Sequence, residues 1–283
     1  MLPKAKSEAM TRSHLAGLAL VAPALLMIVL FFMVPLTASI VGVFETAAGP
    51  GFDNLVKAFA LYSHDMIFTV VIVGLSTALI GIFSIAIGGY FTLGRNPRAQ
   101  AMLRFIYRWP MFIPFIVTAQ VLRTFLAKNG LMNNTLVATG LLDPASATSL
   151  LDWRGIVVAF VWKQTPFVAL MVAGAMASID RATIEAARNL GARRLRLLFE
   201  IVVPQAAPTL MVGLVLSFVT MMSVLSVPLM INAQSPTMIT ADIAFRINAY
   251  RDYGVANALG LISLAITGVA AYIYLRQGVA DRR

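Results

Sequence analysis

The sequence predicts an all-α integral membrane protein with six transmembrane helices, and three observations carry that prediction. Of 283 residues, 59% are hydrophobic and only 12% charged, where an ordinary soluble domain has about a quarter charged. Windows of about 20 residues, enough helix to cross about 30 Å of hydrocarbon, find six apolar stretches. Lys and Arg residues alternate between loops in the pattern that fixes membrane orientation.

The spans lie at about 14–44, 66–93, 103–127, 155–178, 208–231 and 254–275, and together make residues 1–283 a single transmembrane domain. The first is longer than a signal-peptide core of about 7–15 apolar residues. It is read as retained, although Thr46-Ala47-Ala48 loosely imitates a cleavage site. Its extra length implies tilt, or a bend near Pro35. The second and third spans are joined by a basic loop containing Arg95 and Arg98. A turn-rich segment with Asn129-Gly130, Asp143-Pro144 and Trp153 leads into the fourth. The fourth contains Lys163 and Pro166, and the fifth Ser223, Ser226 and Pro228. Ser235-Pro236 and the segment Asp242–Tyr253 precede the sixth.

One side of the membrane collects fifteen basic residues: Lys4, Lys6, Arg12, Arg95, Arg98, Arg104, Arg108, Arg181, Arg188, Arg193, Arg194, Arg196, Arg276, Arg282 and Arg283. The other has five: Lys57, Lys128, Arg154, Arg246 and Arg251. Cytoplasmic loops hold the excess, so both termini are expected inside, in a cytoplasmic (inner) membrane. The net charge of +10 is therefore topological and calls for no nucleic acid. There is no cysteine, and His14 and His64 have no ligand-like spacing, so no metal site is expected.

The cytoplasmic loop at about 180–204 has unusual patterning. From Ile184 to Phe199 there is no proline, and Ile184, Ala187, Gly191, Leu195 and Leu198 recur at steps of three or four. That periodicity predicts one helix with an apolar stripe and basic opposite faces. Ala187 and Gly191 leave the stripe nearly bare, open to another protein's backbone. A mid-helix glycine costs about 1 kcal/mol, which suggests a packing reason. Pro204 and Pro208 are expected to limit the helix and mark re-entry into the bilayer. On periodicity alone, an amphipathic helix lying on the membrane surface is an equal reading.

The full spacing narrows this. Glu185-Ala186-Ala187, three residues, Gly191, nine residues, then Ile201-Val202-Val203-Pro204 resembles the signature loop of permease subunits in binding-protein-dependent, type I ABC importers. The resemblance extends over nearly the whole chain. It implies that a cytoplasmic coupling helix between spans four and five docks on an ATPase, with Glu185, Ala186, Ala187, Gly191, Ile201 and Pro204 as ATPase-coupling residues. It also implies two ATPase subunits that use ATP and Mg, a second permease subunit, expected as a heterodimer, and a solute-binding protein at the outer face. The source would be bacterial or archaeal.

Nothing in the chain makes or breaks bonds. It has no Gly-x-x-x-x-Gly-Lys-Ser/Thr phosphate loop and no convincing Ser-His-Asp order, so no enzyme activity or bound cofactor is expected. No Asp or Glu falls well inside a span; the charges there are Arg123, near an outer end, and Lys163. Thr165 and Pro166 are expected to interrupt helical bonding, so that Trp162, Lys163, Gln164 and Thr165 offer hydrogen bonds and a stacking face to a polar solute. Ser223 and Ser226 form a second candidate lining. The alternative is a snorkelling lysine beside a structural kink.

Two subfamilies are resembled. Val161-Trp162-Lys163-Gln164-Thr165-Pro166-Phe167 and Tyr253-Gly254-Val255-Ala256-Asn257-Ala258-Leu259 look like carbohydrate-importer permeases. Arg123-Thr124-Phe125 and Glu185 through Ala192 look like polyamine permeases. Without an intramembrane carboxylate to balance a polycation, the lean is toward a neutral or anionic polar solute. An ATPase-independent secondary transporter or channel is the rival class. Neither inverted repeats nor paired midplane charges support it. A membrane anchor is weakened by Pro166 and Pro228.

Overall fold

Backbone that leaves water must satisfy its own N–H and C=O groups, so the apolar runs close into helices. A computed structural model describes residues 20–46, 49–232 and 234–280. The beginning of the first span, and Lys4, Lys6, Arg12, His14, Arg282 and Arg283, lie outside the described residues. In chain order the helices are α1 (Leu20–Phe44), α2 (Asp53–Leu93), α3 (Pro97–Ile106), α4 (Trp109–Phe112), α5 (Phe115–Leu126), α6 (Leu131–Ala138), α7 (Trp153–Ala177), α8 (Arg181–Asn189), α9 (Arg194–Ser223), α10 (Ser226–Ile231), α11 (Ile239–Phe245) and α12 (Tyr253–Ala280). A two-residue antiparallel ladder, Glu45–Thr46 with Gly49–Pro50, closes the turn after α1.

Five of these helices are long and apolar enough to cross a membrane, and a bent pair, Pro97–Phe112 with Phe115–Ala138, turned by 108°, meets the same measure of length and composition only when taken together. The third expected span is therefore not one helix. Pro114 lacks an N–H and forces its predecessor out of the helical region, and Ile113 is extended at φ −88, ψ 125. The fifth also divides: Val224 is extended at φ −78, ψ 121 between α9 and α10. By contrast, α7 runs through Pro166 and α9 through Pro204 and Pro208 without a break. A π turn at Leu198–Val202 absorbs the crowding that Pro204 imposes on the preceding turn, so the two prolines do not end the helix. A similar π turn at Val29–Met33 precedes Pro35 in α1.

With 41 residues, α2 is about 60 Å long, twice the hydrocarbon thickness. It begins thirteen residues before the second apolar stretch, at Asp53. Its most extensive neighbour is α7. Small residues make this approach close: a Cβ on Gly88 would sit 2.9 Å from Met176 Sδ of α7, and beside it one on Gly89 would sit 2.6 Å from Leu198 Cδ1 of α9. Around that seam Ile80, Ile156, Phe160, Val172 and Met221 form the main core. A second core, with Val43, Ala58, Ile239 and Leu259, ties α1, α11 and α12 to the N-terminal end of α2. There Asn54 Nδ2 donates to the carbonyls of Val43 (3.0 Å) and Glu45 (2.9 Å).

Candidate functional site

The loop between α7 and α9 has a short helix seated by its own capping. Asp180 accepts from the Ala182 N–H at 2.9 Å and starts α8. At its end, Gly191 N–H donates to Arg188 O (2.9 Å) and Ala192 N–H to Ala187 O (3.1 Å), with Gly191 at φ +86. This is a Schellman closure, which requires a left-handed residue after the helix. Gly191 is thus a helix stop and not a mid-helix residue. The continuous helix expected from Ile184 to Phe199 is instead two helices separated by Leu190–Arg193.

The break divides the expected apolar stripe. Ile184 and Leu197 are buried in the main core, with Ala187, Ala192, Leu198 and Ile201 packed against it. Leu190, Leu195 and Phe199 turn outward, at 89%, 69% and 60% exposed. Glu185, Ala186, Gly191 and Pro204 are exposed, and Ala187 and Ile201 half-buried. Between the two helices lies a cleft of about 290 Å³ lined by Ala187, Leu190, Ala192, Leu197 and Ile201, with the Arg196–Glu200 ion pair (2.8 Å) at its rim. The result is a partly apolar knob anchored in the core.

The intramembrane candidates do not form one lining. Lys163 is buried, and its ammonium donates to the carbonyls of Pro110 (2.9 Å) and Met111 (2.8 Å), 5.5 Å from the Phe115 ring centroid. Both carbonyls sit beside the break between α4 and α5; Pro110 O also accepts from the Ile113 N–H at 3.3 Å. Lys163 therefore ties α7 to the bent crossing; it does not snorkel. Gln164 and Thr165 are buried beside it, and Thr165 Oγ1 has no hydrogen-bond partner among the described residues. Trp162 points to the exposed side of α7. Ser223 is exposed and donates to Val219 O at 2.9 Å, while Ser226 is half-buried at the start of α10.

Sequence reasoning missed a buried polar knot between the N-terminal end of α2 and the segment before α12. Asp65 accepts from Thr237 N–H (2.7 Å) and Ser235 Oγ (3.2 Å), and the Ile239 N–H donates to Thr69 Oγ1 (3.0 Å). Arg246 Nε donates to Tyr62 Oη at 2.6 Å, pairs with Asp252 at 3.2 Å, and lies over the rings of Tyr62 and Tyr250. Asp242 is 8% exposed, and its Oδ2 has no partner among the described residues. Burial, then the charge of Asp65, pushes its carboxyl up to about 7 against the pull of Arg246. Both acids fall outside the apolar windows, which concealed their burial.

A family model described as "Binding-protein-dependent transport system inner membrane component" matches residues 80–280. The chain is 26% identical over 207 residues to the sulfoquinovosyl glycerol transport system permease protein SmoG of Agrobacterium fabrum, covering 68% of this chain and 67% of that one. It is 23% identical over 256 residues to the spermidine/putrescine transport system permease protein PotB of Escherichia coli, covering 88% and 93%. It is also 27% identical to the trehalose/maltose transport system permease protein MalF of Thermococcus litoralis, over 73% and 68%. Among solved structures, a chain of a bacterial alginate ABC transporter in complex with an alginate pentasaccharide-bound periplasmic protein superposes with a TM-score of 0.81 at 21% identity, over 94% of each chain.

Proposed function

The chain belongs to the binding-protein-dependent transport system inner membrane component family, and on that premise we propose how it works: α8 and the cleft behind it receive an ATPase subunit whose ATP-driven closure drives solute import. The chain itself is the transmembrane permease subunit of an ABC importer, a transport subunit and not a catalyst.

ATP and Mg are used by the partner. Two ATPase subunits dock on a pair of permeases, this chain and a second, similar subunit, with a solute-binding protein at the outer face. Closure of the ATPases moves both coupling helices together and turns the central pathway outward; hydrolysis resets it. Glu185, Ala186, Ala187, Gly191, Ile201 and Pro204 carry that motion. The observation that supports this most is the capped α8 knob, rooted in the core through Ile184 and Leu197 while Leu190 remains 89% exposed.

The solute is a small polar organic molecule, with a carbohydrate, polyol or anionic derivative first, in keeping with SmoG and MalF. The polyamine reading has PotB in its favour and also the buried carboxylates Asp65 and Asp242, a potential counter-charge for a cation. Competition of labelled-solute uptake by sugars and by spermidine separates the two. In either case both termini and the α7–α9 loop face the cytoplasm.

Because the chain has no cysteine, a single Leu190→Cys carries a unique crosslinking site. A short maleimide photo-crosslinker there should capture the ATPase in membranes, whereas one at Leu141→Cys, 77% exposed on the opposite side, should not. Capture from position 141 alone would reverse the orientation and remove α8 from the ATPase interface.

A further inference from the structure

A cavity of about 370 Å³ opens between the ends of α2 and α7, the α3–α4 corner and the start of α8. Three guanidiniums converge on it from separate elements: Arg104, Arg108 and Arg181. Among the described residues its lining includes no carboxylate, and the ion pairs Asp152–Arg154, Arg196–Glu200 and Arg246–Asp252 use none of the three. Two of them are held in place by aromatic faces. Arg104 lies 5.2 Å from the centroid of Phe91, and Arg108 lies 5.6 Å from that of Tyr107 while its Nε donates to Tyr107 Oη at 3.2 Å. Stacking orients the planar fork and leaves N–H edges for oxyanions, a geometry matched to phosphate. An adjoining cavity shares Arg181 and adds Arg95 and Arg188, with Glu185 as its one carboxylate.

The opposite wall is apolar and open. Leu170 is 40% exposed, and a Cβ on Gly174 would meet nothing within 4 Å, so the α7 face that lines the cavity is apolar and open. An occupant with a phosphoryl anion at one end and an apolar flank at the other satisfies both walls. Basic pockets between transmembrane helices at the membrane boundary hold anionic headgroups in this manner.

We propose that this cleft binds the phosphate of an anionic phospholipid headgroup, with Arg104, Arg108 and Arg181 as its ligands and the open apolar face of α7 at Leu170, Ala173 and Gly174 along its acyl chain. Arg181 is the first residue of α8, so the lipid bridges the membrane boundary and the knob that faces the ATPase. Assignment of the leaflet as cytoplasmic rests on the orientation proposed above; binding itself does not.

The test needs neither ATPase nor transported solute, so its failure leaves the importer reading intact. The full chain, purified in neutral detergent and exchanged with equal amounts of phosphatidylglycerol and phosphatidylcholine, is examined by native mass spectrometry. One phosphatidylglycerol per chain is expected, and Arg104→Gln, Arg108→Gln and Arg181→Gln together should lower its retention about tenfold or more. An equal charge loss at Arg193, Arg194 and Arg196 should leave it in place. If the triple variant does not fold, Arg181→Gln alone should still weaken retention severalfold. Equal retention of both lipids, or equal loss from the control variant, overturns the site. Displacement of the lipid by millimolar inorganic phosphate also overturns the lipid assignment and makes the cleft a free-phosphate site.

Discussion

Gly191 offers a substitution series in which backbone strain and bulk act separately. Its φ of +86 is left-handed, and a Cβ there would meet nothing within 4 Å. Any L-residue pays about 1–2 kcal/mol for that conformation, well inside a typical stability of about 5–15 kcal/mol, and creates no internal clash. Gly191→Ala therefore reports strain with little bulk. Gly191→Trp carries the same strain and adds a large side chain beside Leu190, on the surface proposed to meet the ATPase. Uptake is measured in cells, with subunit assembly scored by co-purification. The alanine variant should keep most of its uptake. The tryptophan variant should insert normally yet lose uptake by about tenfold or more, since each 1.4 kcal/mol of steric misfit costs a factor of ten. Normal uptake by an assembled tryptophan variant refutes the docking role, as does an equal loss in both.

Asp242 binds its proton more tightly in the folded protein, at about 7 against an ordinary 3.8. The stability this lends is complete below 3.8 and lost as pH rises through about 7. Asp242→Asn, always neutral, should match the wild type near about pH 4 and exceed it above about pH 7, with a ceiling of about 4 kcal/mol; thermal unfolding curves that stay parallel across this range contradict it. Lys163→Met removes two hydrogen bonds beside the α4–α5 break and leaves Met111 O without its ammonium donor, while Pro110 O keeps the Ile113 N–H. Transmembrane hydrogen bonds average about 0.6 kcal/mol and reach about 1.7, so a loss of about 1–3 kcal/mol is expected in detergent unfolding. A variant more stable than wild type would mean that desolvation of the ammonium outweighs its two bonds.

Much of the fold was legible because hydropathy reports the number of apolar stretches. It does not report direction, so the 108° turn at Pro114 was hidden within one apolar window. Nor does it report helix beyond an apolar window, and the extension of α2 from Asp53 carries Asp53, Lys57 and Asp65. At the candidate coupling loop the periodicity indicated helix, but the stripe was read through Gly191, where the helix ends. The better signal was local: basic and polar Arg188-Asn189 followed by a glycine two residues on is a helix ending. Lys163 could not be placed from sequence, because its acceptors are 53 and 52 residues away. Asp65 and Asp242 were passed over for a related reason, since their burial is produced by two segments 170 or more residues apart meeting at the N-terminal end of α2.

The most direct test of the importer account is the identity of what holds on to this chain. Tagged in its source membrane, purified gently and analysed by mass spectrometry, it should bring down an ATPase and a second permease in fixed stoichiometry, with the ATPase lost from Gly191→Trp or uncoupled within the complex. A solitary chain, or a homodimer without any ATPase, would contradict the account and return the protein to ion-driven transport.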